Sequence, residues 1–196
     1  MTPKNLFLGA ALAIAPFAVS AQVAPGTVEV TNVDFAQNVG GPGWTSMAVE
    51  IVADTPRGTD YLNDVKVTLL IAYQVDNDTV IFFESSATVI ALEDGVDKNV
   101  VFLLPGEIEE QFNLPEEPSY WLIDIEVGGE EVPVEEGGMR FSRGMEDAAF
   151  RESMRSSARG ELGNTEGMLL PIYLTPYPET LIENDPPPYR RFQRQP

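Results

Sequence analysis

Three features of this 196-residue sequence predict an all-β chain folded as an antiparallel sandwich. Apolar and polar residues alternate over several stretches. Those stretches are rich in Val, Ile, Phe, Tyr and Thr, which suit a pleated surface. Clusters of Gly, Pro, Asn and Asp separate them at regular spacing. The strongest stretch is Val65–Val75, VKVTLLIAYQV. Val65, Val67, Leu69, Ile71, Tyr73 and Val75 fall on one face, and Lys66, Thr68, Leu70, Ala72 and Gln74 on the other. It is the expected central strand, with one face in the core and Leu70 on the less buried side.

The other elements follow in order. Thr27–Phe35 begins with Val28 and Val30 on one face and then changes phase to Val33 and Phe35, which predicts a bulge near Thr31–Asn32. A Gly- and Pro-bearing loop at Asn38–Gly43 leads to the strand Trp44–Asp54, where Met47, Val49, Ile51 and Ala53 share a face. Thr55–Asp64 reads as a loop. Asp76-Asn77-Asp78 is a hairpin turn into Thr79–Leu92, which Glu84-Ser85-Ser86 threatens to break in two or to switch between sheets. Glu93–Asp97 is a further turn, and Asn99–Leu104, NVVFLL, reads as a strand buried on both faces. In the crossover Pro105–Pro118, Ile108, Phe112 and Leu114 are placed to pin a short helical turn on the end of the sandwich.

Ser119–Val127 is a second clean strand, with Trp121, Ile123, Ile125 and Val127 inward and Tyr120, Leu122, Asp124 and Glu126 outward. Gly128-Gly129 makes a two-residue hairpin turn. Pro133 marks the return, Glu130–Val134, as an edge strand, and Gly137-Gly138 kinks the chain before Met139–Phe141. Strands at this spacing define the immunoglobulin-like type of sandwich. Gly144–Arg159 is the one good helix, with acids in its first turn, arginines in its last and Gly160 as a cap. Phe150, Met154 and Ala158 form an apolar stripe beside Arg151, Arg155 and Arg159. The expected packing turns those arginines toward carboxylates of the sandwich. Met168–Leu174 reads as an edge strand docking on a sheet edge of its own molecule or of a neighbour, with the short loop before it favouring its own, and Thr175–Pro196 as an extended or disordered Pro-rich arm. The expected divisions are thus 1–21, 22–143 for the sandwich, 144–174 for the helix and edge strand, and 175–196 for the arm.

Composition narrows the function. Lys4, the apolar run Leu6–Val19 and the small residues Val19-Ser20-Ala21 read as a Sec-type signal cleaved before Gln22. The expected location is periplasmic, cell-surface or extracellular, with no stable membrane anchor after cleavage. The chain has no cysteine and no histidine, which excludes lipid anchoring through cysteine, disulfides, thiol and His-based catalysis and the usual zinc, copper and haem ligand sets. Between Gln22 and Met139 there are 23 acids against three basic residues, which disfavours nucleic acid and anionic lipid as partners.

The remaining chemistry is that of oxygen atoms and rings. Asp124 and Glu126 are a carboxylate pair, but they lie on the outer face of a regular strand without a cleft. Asp76-Asn77-Asp78 and Glu93–Asp97 cluster calcium-type ligands, yet neither has the spacing of a calcium loop, and Asp and Asn also serve turns by local hydrogen bonding. Trp44 and Trp121 are sugar-stacking candidates, although Trp121 has the inward phase. No catalytic, cofactor or metal residue is assigned.

Tyr120 occupies a position similar to the tyrosine corner of immunoglobulin-like domains. With the signal, the acidity, the lack of cysteine and the hairpin YWLIDIEVGGEEV, the chain resembles the secreted immunoglobulin-like pilus-associated proteins encoded in type IV pilus-like gene clusters. The likeness covers Thr27–Phe141. It implies a non-enzymatic envelope or surface component, acting in structural assembly or protein–protein interaction. The partner is another protein or a second copy, met through a sheet edge or the C-terminal arm. Cleavage at Ala21 departs from a true type IV pilin, which keeps its hydrophobic N-terminal helix. A carbohydrate- or calcium-binding module is the alternative. Intact-mass measurement of the exported protein is expected to place its first residue at Gln22; a mass retaining Met1–Ala21 would refute the processing.

Overall fold

Two antiparallel sheets face each other in the computed structural model, which describes residues 26–37, 43–160, 167–176 and 186–190. The expected signal, residues 38–42 and 161–166 of the expected loops, and the rest of the Pro-rich arm lie outside the described residues. The strands are β1 (Thr27–Ala36), β2 (Trp44–Asp54), β3 (Tyr61–Gln74), β4 (Val80–Glu93), β5 (Lys98–Pro105), β6 (Tyr120–Val127), β7 (Glu130–Glu131), β8 (Met139–Phe141) and β9 (Leu170–Pro171). Helix α1 (Gly106–Phe112) follows β5, and α2 (Ala148–Arg159) follows β8. The first sheet runs β1-β2-β5-β9. The second runs β4-β3-β6-β7, with β8 also on β6. This is the all-β immunoglobulin-like sandwich with a C-terminal helix.

Alternation places the main core between the sheets. Val28 and Val30, then Met47, Val49 and Ile51, meet Val65, Val67, Leu69, Ile71 and Ile123 there. The phase change in β1 is a bulge: the register with β2 shifts between Val30 and Asn32. The skipped Thr31 gives its hydroxyl proton to the Glu50 carboxylate at 2.7 Å. β5 is buried on both faces from Val100 to Leu104. Helix α1 follows Pro105, ends on Asn113 in the left-handed conformation, and packs Ile108 and Phe112 on the core.

Several expectations change in register or extent. β3 starts at Tyr61, within the stretch read as a loop. β4 does not break: Leu70 faces Glu84, Leu69 faces Ser85 and Thr68 faces Ser86 in one register, because β3 supplies a continuous ladder. The Gly128-Gly129 turn has φ of 61° and 89°, which suits a tight hairpin. Its return strand is only Glu130–Glu131. Pro133 then diverts the chain into a 3-10 turn, Val134–Glu136, before β8 rejoins β6. Gly138 lies so close to the Val132 carbonyl that no side chain fits there. Met168–Leu174 is a strand only at Leu170–Pro171, followed by a 3-10 turn.

Helix α2 begins at Ala148 rather than Gly144, because Asp147 takes the capping position and accepts from the Ala149 amide at 2.9 Å. Gly160 closes it with extended backbone, φ −77°, so its left-handed freedom goes unused. The main correction concerns what α2 covers. Leu70, Ala72, Phe82 and Leu122 form a second buried cluster on the outer face of the second sheet, with Met154 and Ala158 above them. β3 is therefore buried on both faces over its second half, not on one. Leu122, expected outward and open, is fully buried.

Leu70→Ala is accordingly expected to destabilise by about 2–5 kcal/mol, as much as Ile71→Ala, since both leave a cavity in packed apolar surroundings. Denaturant melts check this. A small loss at Leu70 beside a large one at Ile71 would remove the helix from that face.

Candidate functional site

Two regions leave the sandwich chemically equipped for contact: the β4–β5 side, and a trough beside α2. On the first, the C-terminal chain adds to both sheets. Leu170–Pro171 pairs with Phe102–Leu103 of β5. Pro186–Arg190 runs extended along the outer edge of β4. The Ile90 amide donates to the Pro188 carbonyl at 2.7 Å, and the Arg190 amide to the Thr88 carbonyl at 2.8 Å. Between them Tyr189 stands opposite Val89. Its ring enters the main core at 9% exposure and packs against Tyr173 with centroids 4.9 Å apart. Its hydroxyl donates to the Asn99 carbonyl of β5 at 3.2 Å. Arg190 pairs with Asp64 of β3. One side chain thus spans the gap between the two sheets.

The trough arises because the outer face of the second sheet changes character along its length. Leu70, Ala72 and Leu122 take the helix. Beyond them Thr68, Ser86, Lys66 and Glu126 are polar and stay open. The 3-10 turn after β7 forms the opposite wall, and the space between is about 520 Å3. Asp124 and Glu126, the carboxylate pair, meet different cations. Arg155 grips Asp124 through Nε at 3.1 Å and Nη2 at 2.6 Å, and Lys66 reaches Glu126 at 2.6 Å. The Asp124 hydrogen bond holds the Arg155 guanidinium above its ordinary pKa. Of the three arginines expected to face sandwich carboxylates, only Arg155 has such an ion pair among the described residues. Arg151 instead donates to the carbonyls of Met145 and Glu146 and lies over the Phe141 ring at 4.5 Å. Arg159 is exposed at the rim.

The loop acids serve turns. Asp76 accepts from the amides of Asp78 at 2.9 Å and Thr79 at 2.8 Å, which lowers its pKa. Asp94 accepts from the Thr55 amide at 2.8 Å. Among the described residues no three carboxylates group to hold a metal ion. Trp44 and Trp121 are half-buried against the core, Trp121 tilted on Phe35 at 6.3 Å. Tyr120 sits in the helix–sheet seam with its ring edge-on to Phe150 at 5.3 Å. At the sandwich end, Thr45 gives its proton to Glu109 of α1. Burial, with Glu109 nearby, pushes the pKa of Tyr73 far above the ordinary phenol range.

Sequence reading did not find Tyr189. Its only signal is a lone aromatic directly after Pro186-Pro187-Pro188, where proline holds the backbone extended. The Asp124–Arg155 pair was anticipated in kind, as an arginine stripe meeting carboxylates.

No family model and no curated protein matches the chain. A solved chain from Akkermansia muciniphila superimposes on it with a TM-score of 0.61 at 12% identity, over 86% of this chain and 94% of that one. The likeness shows the fold. No helix among the described residues is long and apolar enough to cross a membrane.

Arg155→Ala and Asp124→Ala are expected to be non-additive, with a coupling of about 1 kcal/mol in a double-mutant cycle, because the pair is bidentate and partly screened from water. Additive losses would show that the bridge contributes nothing to stability.

Proposed function

We propose that the chain is an exported, non-enzymatic envelope or surface protein that acts in structural assembly through protein–protein contacts. The observation that carries this reading is edge pairing: the C-terminal chain supplies a two-residue strand to β5 of the first sheet and an extended segment with one β-bridge to β4 of the second. A sandwich that takes strands at its edges is built for recognition through main-chain hydrogen bonds. The engagement of Asp124, Glu126, Asp76 and Asp94 in ion pairs and turn hydrogen bonds supports contact rather than catalysis as the work of the fold. The signal-like Leu6–Ala21 segment supports export to the periplasm, cell surface or medium. The finer reading, association with a type IV pilus-like assembly, rests on the resemblance carried by Tyr120–Val132. On this view residues 22–143 are the sandwich domain and 144–174 a covering layer upon it.

Fractionation of cells producing the full chain with its own leader, followed by cross-linking of intact cells, tests the proposal. The expected result is a mature protein outside the cytoplasm in cross-linked species of higher mass. Cytoplasmic retention, or an exported protein that stays monomeric after cross-linking, overturns it.

A further inference from the structure

We propose that the outer edge of β4, with the space that Tyr189 fills, is a docking site for the Pro186–Arg190 segment of a second copy of this chain. The segment's own copy fills that site when the molecule is alone. The inference deepens the assembly reading above and rests on it for the existence of a partner. The docking chemistry stands on the contacts themselves.

Those contacts are local. Main-chain hydrogen bonds to Thr88 and Ile90 fix an extended backbone, and the socket between Val89, Asn99 and Tyr173 takes one aromatic ring. Asp64 takes the cation that follows it. This is the division of labour in strand-addition recognition: main-chain bonds hold and a side-chain pocket selects. None of these contacts depends on which copy supplies the segment, so the effective local concentration decides between own and partner segment. β4 also offers more edge than the segment uses: among the described residues no strand lies on the outer side of Val80–Ala87.

Charge selects a second copy as the occupant. Residues 186–196 carry Arg190, Arg191 and Arg194 and no acid, whereas residues 22–139 carry 23 acids against three basic residues. Two bodies repel each other, but the basic stretch 186–196 of one is drawn to the acidic body of the other, so encounter favours an approach led by that stretch.

The lack of cysteine makes the test clean. Ile90 and Pro188 face each other and are both exposed. Residues so placed in an antiparallel pair lie about 5.5 Å apart at Cα, within disulfide range. Full-length Ile90→Cys protein is mixed at high concentration with size-tagged Pro188→Cys protein in a glutathione redox buffer. The expected product is the mixed disulfide, in clear excess over both homodimers. It should fall several-fold when the tagged chain also carries Tyr189→Ala. A synthetic peptide of residues 185–191 should compete it away, and the same peptide with Ala for Tyr189 should not. The peptide arm keeps the test independent of how well the variants fold. Mixed disulfide no more abundant than the homodimers, or insensitive to both the substitution and the peptide, overturns docking between copies. A surface-located, cross-linked protein that fails this test retains the assembly reading and loses only this site.

Discussion

The second sheet has apolar side chains on both faces, and burying both sets the plan of the molecule. β3 sends Val65, Val67, Leu69, Ile71 and Tyr73 toward the first sheet, while Leu70 and Ala72 point the other way with Leu122 and Phe82. Each exposed square ångström of such surface costs roughly 25 cal/mol, so a side with four apolar residues needs a cover. Helix α2 supplies Met154 and Ala158 for it. The cover ends where Thr68 and Lys66 begin, because polar side chains gain nothing from a lid that cannot pair them. The trough is the uncovered remainder of the same face.

Electrostatics refine this arrangement without creating it. The bidentate grip of Arg155 on Asp124 sits at the boundary between the covered and open halves of the sheet and fixes the rotation of α2 about its axis. Arg151, four positions earlier, bonds to carbonyls of the turn that precedes the helix. It steadies the approach to α2 and, over the Phe141 ring, touches the sheet at β8. The acidic surface of the sandwich therefore stays largely uncompensated, which keeps like molecules apart unless their basic segments intervene.

Strand positions were legible wherever one face meets the core and the other meets water. β2 alternates cleanly, and the bulge in β1 shows as a change of phase at Thr31. Alternation does not say whether the second face meets water or a further layer. On its own face Leu70 follows Thr68, and Leu122 precedes Asp124, and only the register that puts the two leucines side by side, with Phe82 nearby, forms an apolar patch. The helix reads from Gly144 because Glu146 and Asp147 suit a first turn; the side-chain bond to the Ala149 amide instead makes Asp147 the cap. Tyr189 was illegible because one buried ring in a Pro-rich stretch has no period. Its burial is decided by β4 and β5, which lie far away in sequence.

The closure of the β4–β5 side has a consequence for the order in which the molecule matures. The Arg190–Asp64 pair joins positions 126 residues apart, and Tyr189 reaches Asn99 across 90. The acceptor strands β3, β4 and β5 lie far ahead along the chain of the residues that finish them. Until Pro186–Arg190 dock, the sandwich exposes a raw strand edge and an unfilled gap between its sheets. Such long-range closures are slow, and an unfinished edge is open to wrong partners. Docking of residues 186–190 therefore completes the native fold, and until it occurs the unfinished edge must be kept from pairing.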